Sequence, residues 1–190
     1  MIIIDGFLDD FDSVRDYVEK LDYTGAVNPD DGVTYPDISL DIPPRLMGEV
    51  IHGIREATGK RTSNVKIFLR LSTFGVDAPH QAHTDTIMGS SALMLYLNKA
   101  DDCQGGTAFV KHKATGLDSN PVNETEEIVW RTDVNNYDAW EQTSICEMKE
   151  NRALIFDANT MHRAEPVGGF GSDANDGRLV LTAFFDLEAA

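Results

Sequence analysis

The stretch SALMLYLNKADDCQGGTAFV, residues 91–110, contains two short apolar runs separated by polar residues and a pair of glycines. Each run has the length of a β-strand, and the Asn, Asp and Gly residues between them are typical of turns. Strand-like runs also occur at 66–72, 152–157 and 178–186. Short strands at intervals, without alternating helices, favour a β-sandwich or jelly roll and argue against a parallel nucleotide-binding sheet.

The first 65 residues contain the signals for helices. A short strand is predicted at 2–4, and apolar residues at helical spacing predict amphipathic helices at 9–21 and 45–58. Between the helices, residues 25–44 are rich in Gly, Pro and Asp and are interpreted as a loop. We therefore expect helices that flank a β-rich core.

The length of 190 residues suits one domain with a sizeable hydrophobic core. We predict a single domain over 1–190, with an N-terminal helical flank at 1–65 and a β core at 66–187. Residues 111–143 are polar and lack a clear period, so they are interpreted as an insertion between two core strands. Together these expectations give a mainly β fold with flanking α-helices.

The formal charge of −16 restricts the partners of the chain. Nucleic-acid binding requires clustered Lys and Arg residues, and the sequence shows no such cluster, so a nucleic-acid substrate is disfavoured. No apolar run reaches the roughly 18 residues of a membrane span, and the N-terminus lacks the basic start of a signal peptide. With only two cysteines, Cys103 and Cys146, we expect a reducing, cytoplasmic setting.

The segment PHQAHTD, residues 79–85, places His83 and Asp85 two positions apart. On a strand such residues point to the same face, with Cα atoms about 7 Å apart, so an imidazole and a carboxylate can converge on one cation. His162 follows the strand-like run at 152–157 and can supply a second imidazole. Two histidines and one carboxylate leave coordination positions open, which is typical of non-haem Fe(II) oxygenases.

The histidines also allow a plainer interpretation. A His-x-Asp triplet is common by chance, and a single histidine such as His162 is more often a hydrogen-bonded structural residue than a ligand. We expect His52 and His112 to be surface residues, and His80 and His83 lie in a polar loop where they can be surface residues as well. The metal interpretation therefore depends on further motifs in the right order.

Four such motifs follow one another in the last two thirds of the chain. In order they are ALMLYLN at 92–98, GGTAF at 105–109, ALIFD at 153–157 with His162 behind it, and RLVLTAFF at 178–185. Their order and spacing resemble the 2-oxoglutarate/Fe(II)-dependent oxygenase superfamily, in particular its prolyl-4-hydroxylase-like branch. Each motif is short, and the resemblance depends on all four together.

The resemblance implies a double-stranded β-helix, which is a jelly-roll or cupin-like barrel with a metal at its mouth. It implies Fe(II) held by His83, Asp85 and His162, 2-oxoglutarate as cosubstrate, and O2. Arg178 would bind the distal carboxylate of 2-oxoglutarate, since a planar guanidinium can clamp a carboxylate through two parallel hydrogen bonds. Tyr96 would hydrogen-bond the same carboxylate. The implied enzyme is a dioxygenase that hydroxylates its substrate and releases succinate and CO2.

Two features depart from the pattern of that branch. Arg178 lies 16 positions after His162, and the extra length is the turn-rich loop 168–177. Val180 occupies the place of the serine in the Arg-x-Ser pairing of some branches.

Arg163 is a second cation near His162, but its position next to His162 would aim it at the opposite face of a strand. Contacts to the cosubstrate are therefore expectations.

Candidate substrate-facing elements are the segment 35–37 and the aromatic residues Trp130, Tyr137 and Trp140 of the insertion, although these aromatics can instead cover the flank of the barrel. A peptide residue such as proline, a free amino acid and a small metabolite are all compatible with the motifs. Two other classes stay open. One is a cupin-like metal- or ligand-binding protein without oxygenase turnover, and the other is a hydrolase or isomerase that uses the same ligands with zinc or manganese.

Overall fold

The computed structural model describes residues 1–27, 32–76 and 78–188, so part of the predicted 25–44 loop and the end of the predicted 1–190 domain lie outside the described residues. Within those ranges the chain forms three α-helices and eleven β-strands. The helices are α1 (Phe11–Val18), α2 (Pro44–Thr58) and α3 (Glu124–Asp133). The strands are β1 (Ile2–Asp5), β2 (Ala26–Val27), β3 (Thr34–Tyr35), β4 (Ile38–Ser39), β5 (Thr62–Ser72), β6 (Ser91–Tyr96), β7 (Gly106–His112), β8 (Trp140–Glu147), β9 (Arg152–Asp157), β10 (His162–Glu165) and β11 (Arg178–Leu187).

In the described part of the chain, nine of these strands form two antiparallel sheets. The larger sheet has six strands in the order β1-β9-β6-β11-β5-β4, and the smaller has three in the order β10-β7-β8. The remaining strands, β2 and β3, pair with each other as a short antiparallel hairpin. The expected mainly β architecture with flanking helices is confirmed.

β11 lies in the middle of the larger sheet, between β5 and β6. Its side chains alternate between the two faces of the sheet. Leu179 and Leu181 belong to the core that the helices cover, whereas Val180 and Phe184 belong to a second cluster shared with Phe109 of β7. Both faces of β11 are therefore buried, which explains its continuous apolar run.

α1 and α2 pack on one face of the larger sheet, where Val18 and Ile54 are fully buried. α2 begins at Pro44. Proline suits this position, because it has no backbone N–H and the N–H groups of the first helical turn make no hydrogen bond within the helix. The helix ends at Thr58, and the next residue, Gly59, caps it in a left-handed backbone conformation, with its N–H donating to the carbonyl of Arg55 at 2.8 Å. None of the helices in the described ranges is long and apolar enough to cross a membrane.

Several elements differ in extent from the sequence expectations. α1 is shorter than the helix predicted at 9–21, and β5 begins at Thr62 rather than at residue 66. The described part of the 25–44 region, which was expected to be a loop, contains the three short strands β2, β3 and β4. Strands of two residues are too short to show an alternating pattern, so the sequence gives no signal for them.

The region 111–143 is more regular than its sequence suggests. β7 extends to His112 and β8 begins at Trp140, so the connection between them is shorter, and it contains α3. Asn123 caps this helix, because its side chain accepts a hydrogen bond from the backbone N of Glu126 at 3.0 Å. No residue of α3 is buried, and the helix therefore leaves no apolar period in the sequence.

The glycine pair Gly105-Gly106 opens β7 in a conformation that other residues rarely adopt. Gly105 has φ of 62° and Gly106 has φ of 151°. A Cβ on Gly105 would collide with the backbone oxygen of Glu165, and a Cβ on Gly106 with that of Cys146. The pair lets β10 and β8 approach β7 closely on its two sides, which brings the smaller sheet together at this point.

Candidate active site

The three side chains expected to bind a metal lie together. Their possible ligand atoms, one each from His83, Asp85 and His162, are all within 4.8 Å of one another. Nε2 of His162 is 3.1 Å from Oδ2 of Asp85, and Nε2 of His83 is 3.7 Å from Oδ1 of the same carboxylate. The centroids of the two imidazole rings are 4.5 Å apart. All three side chains thus face a common centre.

Backbone hydrogen bonds hold these residues in place. His162 is the first residue of β10, and it exchanges two backbone hydrogen bonds with His83. The backbone N of Asp85 donates to the carbonyl of Ala158 at 2.8 Å. The expectation that His83 and Asp85 lie on a strand is wrong, since they belong to the connection between β5 and β6 and touch the sheet through one isolated bridge. Their side chains nevertheless converge.

Each imidazole is oriented by a backbone carbonyl. Nδ1 of His83 is 3.0 Å from the backbone oxygen of Gln81, and Nδ1 of His162 is 2.9 Å from that of Thr160. A carbonyl oxygen can only accept, so each Nδ1 carries the proton and donates it. Each Nε2 then keeps its lone pair and points it at the common centre, which is the orientation that metal-binding histidines need.

The electrostatics of the group favour neutral His83 and ionised Asp85. Burial, together with the nearby His162, lowers the pKa of His83 to about 4. Burial alone would raise the pKa of Asp85, but the attraction of His162 outweighs it and holds that pKa below its usual value. Burial would likewise lower the pKa of His162, but the Asp85 carboxylate outweighs it and raises that pKa. The proton most strongly held at this centre is therefore that of His162.

The donor set fits a divalent transition metal. Oδ2 of Asp85 and Nε2 of His162 are buried and have no hydrogen-bond partner within the described ranges. When His162 is neutral, both atoms are acceptors that face each other at 3.1 Å, so the arrangement is relieved either by a proton on Nε2 or by a metal cation between the two atoms. Two imidazoles and one carboxylate with free positions beside them match Fe(II) in non-haem oxygenases.

The three residues line a cavity of about 920 Å³, a volume in the upper part of the range of small-molecule sites. Its floor is the face of β5 and β11 that carries Phe68, Val180, Thr182 and Phe184. The described part of the N-terminal flank contributes Tyr35 to the wall. The cavity thus lies beside the candidate metal centre and is largely apolar.

Arg178 lies on the wall of this cavity as the sequence analysis expected, at the first position of β11. Its side chain is buried, and one NH2 group donates to the carbonyl of Gly106 at 3.3 Å. Its Nε has no hydrogen-bond partner among the residues that the structure describes. Burial lowers the pKa of Arg178 to about 10, so the guanidinium is still charged at neutral pH. A buried cation with an unused donor is suited to bind an anion.

Tyr96 is fully buried on β6, opposite Val180 of β11. Its hydroxyl is 2.9 Å from Oγ1 of Thr107 and 3.1 Å from the backbone oxygen of Cys146. The hydroxyl therefore has protein partners of its own, and one of them, Thr107, lines the cavity. The sequence analysis missed Thr107, although it belongs to the GGTAF motif.

Arg70 is a second cation that the sequence analysis did not select. It lies on β5 opposite Val180, and its side chain lines the same cavity as Arg178. The available signal was a charged residue within the apolar strand run KIFLRLS, residues 66–72. Charged residues are rare in the middle of such strands unless a partner or a function holds them there.

The remaining histidines differ in their surroundings. His52 is exposed on α2, as expected. The expectation that His112 is a surface residue is wrong, because its side chain is buried, with Nε2 3.2 Å from Oδ2 of Asp133 and Nδ1 2.8 Å from Oγ1 of Thr115. His80 lines the cavity, with its ring centroid 5.5 Å from that of Trp130.

The aromatic residues considered as substrate-facing divide into two groups. Tyr35 and Trp130 line the cavity. Trp140 packs in a satellite cluster, and its indole N–H donates to the carbonyl of Asp133 at 2.8 Å. The ring of Tyr137 lies against the guanidinium of Arg163, and the distance from Cζ of Arg163 to the centroid of that ring is 3.7 Å. Only the first group is placed to contact a ligand in this cavity.

Arg163, the competing cation next to His162, is directed elsewhere. Its Nε donates to Oε1 of Glu165 at 2.7 Å, and its side chain is buried in that contact. The expectation that adjacency to His162 aims Arg163 away from the site agrees with this arrangement.

Comparisons with known proteins give one family and a set of similar folds. The model of a family described as "Family of unknown function (DUF6445)" matches residues 1–185. No curated protein matches the chain.

Three solved structures illustrate the likeness of fold. A prolyl hydroxylase from Trichoplax adhaerens, in complex with a hypoxia inducible factor oxygen degradation domain peptide fragment, gives a TM-score of 0.53 at 11% identity, over 97% of this chain and 82% of that chain. A Pseudomonas putida prolyl-4-hydroxylase gives a TM-score of 0.51 at 14% identity, over 99% of this chain and 92% of that chain. EvdO2 from Micromonospora carbonacea var. aurantiaca, complexed with 2-oxoglutarate, gives a TM-score of 0.51 at 15% identity, over 98% of this chain and 85% of that chain. The resemblance to the prolyl-hydroxylase-like branch is thus confirmed as a likeness of fold.

Proposed function

Because this chain belongs to the DUF6445 family, whose function is unknown, we propose a function from its site: a non-haem Fe(II)- and 2-oxoglutarate-dependent dioxygenase. One observation carries the proposal, namely the placement of His83, Asp85, His162 and Arg178 around a single cavity. The first three form a set of metal ligands, and Arg178 is a buried cation without an ion-pair partner among the described residues. A 2-oxo acid with a second carboxylate has one group that can bind the metal and another that can bind Arg178.

His83, Asp85 and His162 would hold Fe(II). Their Nδ1 hydrogen bonds to backbone carbonyls keep both imidazoles in the binding tautomer, so little reorganisation is needed when the metal enters. When bound, Fe(II) with 2-oxoglutarate supplies the oxidative chemistry that activates O2 and releases succinate and CO2. The chain itself contributes the fixed ligands, the orientation of the cosubstrate and a cavity that excludes water.

Arg178 would bind the distal carboxylate of 2-oxoglutarate through its unused Nε donor. Thr107, which lines the cavity close to Arg178, can donate its hydroxyl hydrogen to the same carboxylate. Tyr96 would then act as a positioning residue, since its hydroxyl contacts Thr107 rather than the cavity. The presence of 2-oxoglutarate in the EvdO2 structure supports a cosubstrate of this kind in a similar fold.

We interpret the two antiparallel sheets as the two halves of a double-stranded β-helix. The cavity is lined by residues of both sheets, with His162 and Ala164 from β10 facing Val180 and Thr182 from β11. A barrel of this kind places a metal on one sheet and a cosubstrate carboxylate at the end of the other. The solved structures of similar fold support this interpretation.

The substrate would be a peptide residue, an amino acid or a small metabolite, and the expected reaction is its hydroxylation. Apolar walls such as Phe68, Met94 and Phe184 would keep water from the reacting carbon. The peptide complex of the Trichoplax enzyme illustrates one such class for a protein of similar fold. A cytoplasmic location stays a prediction from the sequence.

Uncoupled turnover tests the proposal before any substrate is known. Wild-type protein with Fe(II), ascorbate, O2 and 2-oxoglutarate should form succinate and consume O2, whereas His83→Ala should form none. His52→Ala, which changes an exposed histidine on α2, is the matched control and should behave as wild type. Binding of both Fe(II) and 2-oxoglutarate without any succinate would instead favour the cupin-like protein without turnover.

A further inference from the structure

Arg70 is a charged residue of the cavity that has no role in the proposed reaction. It lies opposite Val180 in the pairing of β5 with β11, and Arg178 lies opposite Ser72. The two arginines are therefore diagonal neighbours on one face of the sheet, with Cα atoms roughly 7 Å apart. The charge of Arg70 also acts to lower the pKa of Arg178.

The charge of Arg70 is not balanced by an ion pair with any residue in the described ranges. The carboxylates that act on it electrostatically are Asp85 and Asp37, and neither lies within ion-pair distance of its guanidinium. Asp85 is committed to the metal centre. Burial lowers the pKa of Arg70, so its cation lies in surroundings where an anionic partner is worth more than in water.

2-Oxoglutarate does not supply that partner in the proposed arrangement. Its distal carboxylate would be bound by Arg178, and its other carboxylate would be a ligand of the metal together with the oxo group. Two adjacent guanidinium groups on one face repel each other unless separate anions lie between or beside them. A further anion bound beside Arg70 in the same cavity would reduce this repulsion.

The position of Arg70 indicates where in the cavity that anion would bind. On the side away from β11, Arg70 is paired with Ile38 of the edge strand β4, next to the N-terminal flank. The ring of Tyr35 lies beside its guanidinium, with the ring centroid 5.9 Å from Cζ. Both Ile38 and Tyr35 line the cavity as well. Arg70 thus lies on the flank side of the cavity, beyond Arg178 and the metal centre.

From this arrangement we infer that Arg70, supported by Tyr35, binds a carboxylate of the substrate, and that the substrate is a small carboxylic acid rather than a residue within a peptide chain. The inference rests on the proposed function, which it makes more specific. A cavity of about 920 Å³ has room for 2-oxoglutarate and a second small acid. The guanidinium would fix the acid by two parallel hydrogen bonds and so select which carbon faces the metal.

The test compares three variants with wild type. Arg70→Gln removes the proposed substrate contact, Arg178→Gln removes the proposed cosubstrate contact, and Arg45→Gln changes an arginine whose side chain is 80% exposed on α2. Binding of 2-oxoglutarate is measured by anaerobic titration in the presence of Fe(II). Binding of small aliphatic, hydroxy and α-amino carboxylic acids, each paired with its primary amide, is measured by ligand-observed NMR on protein that holds Zn(II) and 2-oxoglutarate.

We expect at least one free acid to bind wild type and Arg45→Gln, its amide to bind neither, and Arg70→Gln to lose about tenfold or more in affinity for that acid. Arg70→Gln should keep its 2-oxoglutarate affinity within about threefold, whereas Arg178→Gln should not. Arg70→Lys, which keeps the charge without the planar fork, should restore part of the acid binding. Thermal unfolding of each variant shows that it is folded.

Three results would overturn the inference. One is a loss of 2-oxoglutarate affinity in Arg70→Gln as large as in Arg178→Gln, which would assign Arg70 to the cosubstrate. Another is equal binding of acids and amides, and a third is a panel in which no acid binds to wild type while 2-oxoglutarate does. Failure of 2-oxoglutarate to bind wild type at all is a separate outcome, and it would remove the proposed function itself.

Discussion

His83 and His162, which are 79 positions apart in the sequence, exchange two backbone hydrogen bonds with N–O distances of 3.0 and 2.9 Å. This exchange joins the connection between β5 and β6 to the start of β10. It fixes the backbone on both sides of the candidate metal centre, so the imidazoles converge before any metal is bound. The site is therefore preorganised by main-chain contacts, which side-chain substitutions leave in place.

Asp85→Asn should lower the affinity for Fe(II) by about 100-fold or more, because an amide oxygen replaces the charged ligand. The unfolding temperature of the metal-free protein should change little, since the backbone hydrogen bond from Asp85 to Ala158 remains. Isothermal titration with Fe(II) under anaerobic conditions and calorimetric unfolding check the two statements. Asp157→Asn, at an exposed position of β9, is the control, and equal affinities for the two variants would contradict the assignment.

Metal affinity should depend on pH through His162. The pKa of His83 is about 4, so that ring is neutral over the working range, whereas the pKa of His162 is raised above its ordinary 6.5. Metal binding needs neutral His162, and the metal must displace its proton at any pH below that raised pKa. Apparent affinity for Fe(II) should therefore fall about tenfold per pH unit below the pKa of His162 and become constant above it.

Titrations between about pH 5.5 and about pH 8.5 measure this slope. The fall should begin above pH 6.5, at a higher pH than free histidine would give, because Asp85 holds the proton on His162. An affinity that stays constant over this range would assign the competing proton to His83 instead, because the pKa of His83, about 4, lies below the range.

Tyr96→Phe should weaken 2-oxoglutarate binding less than Thr107→Val does. The tyrosine hydroxyl contacts Thr107 and Cys146, and only Thr107 lines the cavity. Loss of the buried hydroxyl should destabilise the fold by about 1 kcal/mol, since its partners remain. Chemical unfolding and 2-oxoglutarate titration check both parts. If Tyr96→Phe had the larger effect on binding, Tyr96 itself would be the contact.

Gly106→Ala should destabilise the protein by about 3 kcal/mol or more, because its Cβ would collide with the backbone oxygen of Cys146 between two paired strands. Gly116→Ala is the matched control. Gly116 has a positive φ of 77° but no atom within 4 Å of an added Cβ, so it should lose only about 1 kcal/mol. Urea unfolding measures the difference, and equal losses would mean that φ alone accounts for the glycine.

Much of the fold and the site can be predicted from the sequence, because both depend on local patterns. The apolar run of β11 indicates a strand, and the turn residues up to the glycine pair separate the two runs that form β6 and β7. His83, Asp85 and His162 were selected from spacing and order. The structure brings them together even though the first two lie on a connection rather than on a strand.

Other features depend on pairing across strands, which no local pattern encodes. Arg70 becomes a neighbour of Arg178 only through the register of β5 with β11. Thr107 contacts the hydroxyl of Tyr96 and lines the cavity, a relation that depends on how the two sheets face each other. The burial of His112 follows from its contact with Asp133 in α3, a helix without an apolar period. These misses share one cause, since each requires tertiary contacts.

The most direct test of the central claim is an anaerobic titration of Fe(II) and 2-oxoglutarate into the protein, followed by the weak visible charge-transfer band of the chelate. We expect a band in wild type that saturates with 2-oxoglutarate. The band should be absent in His83→Ala, and in Arg178→Gln it should require about tenfold or more 2-oxoglutarate. Absence of the band in folded wild-type protein would contradict the proposed function, and an unchanged titration in Arg178→Gln would contradict the proposed role of Arg178.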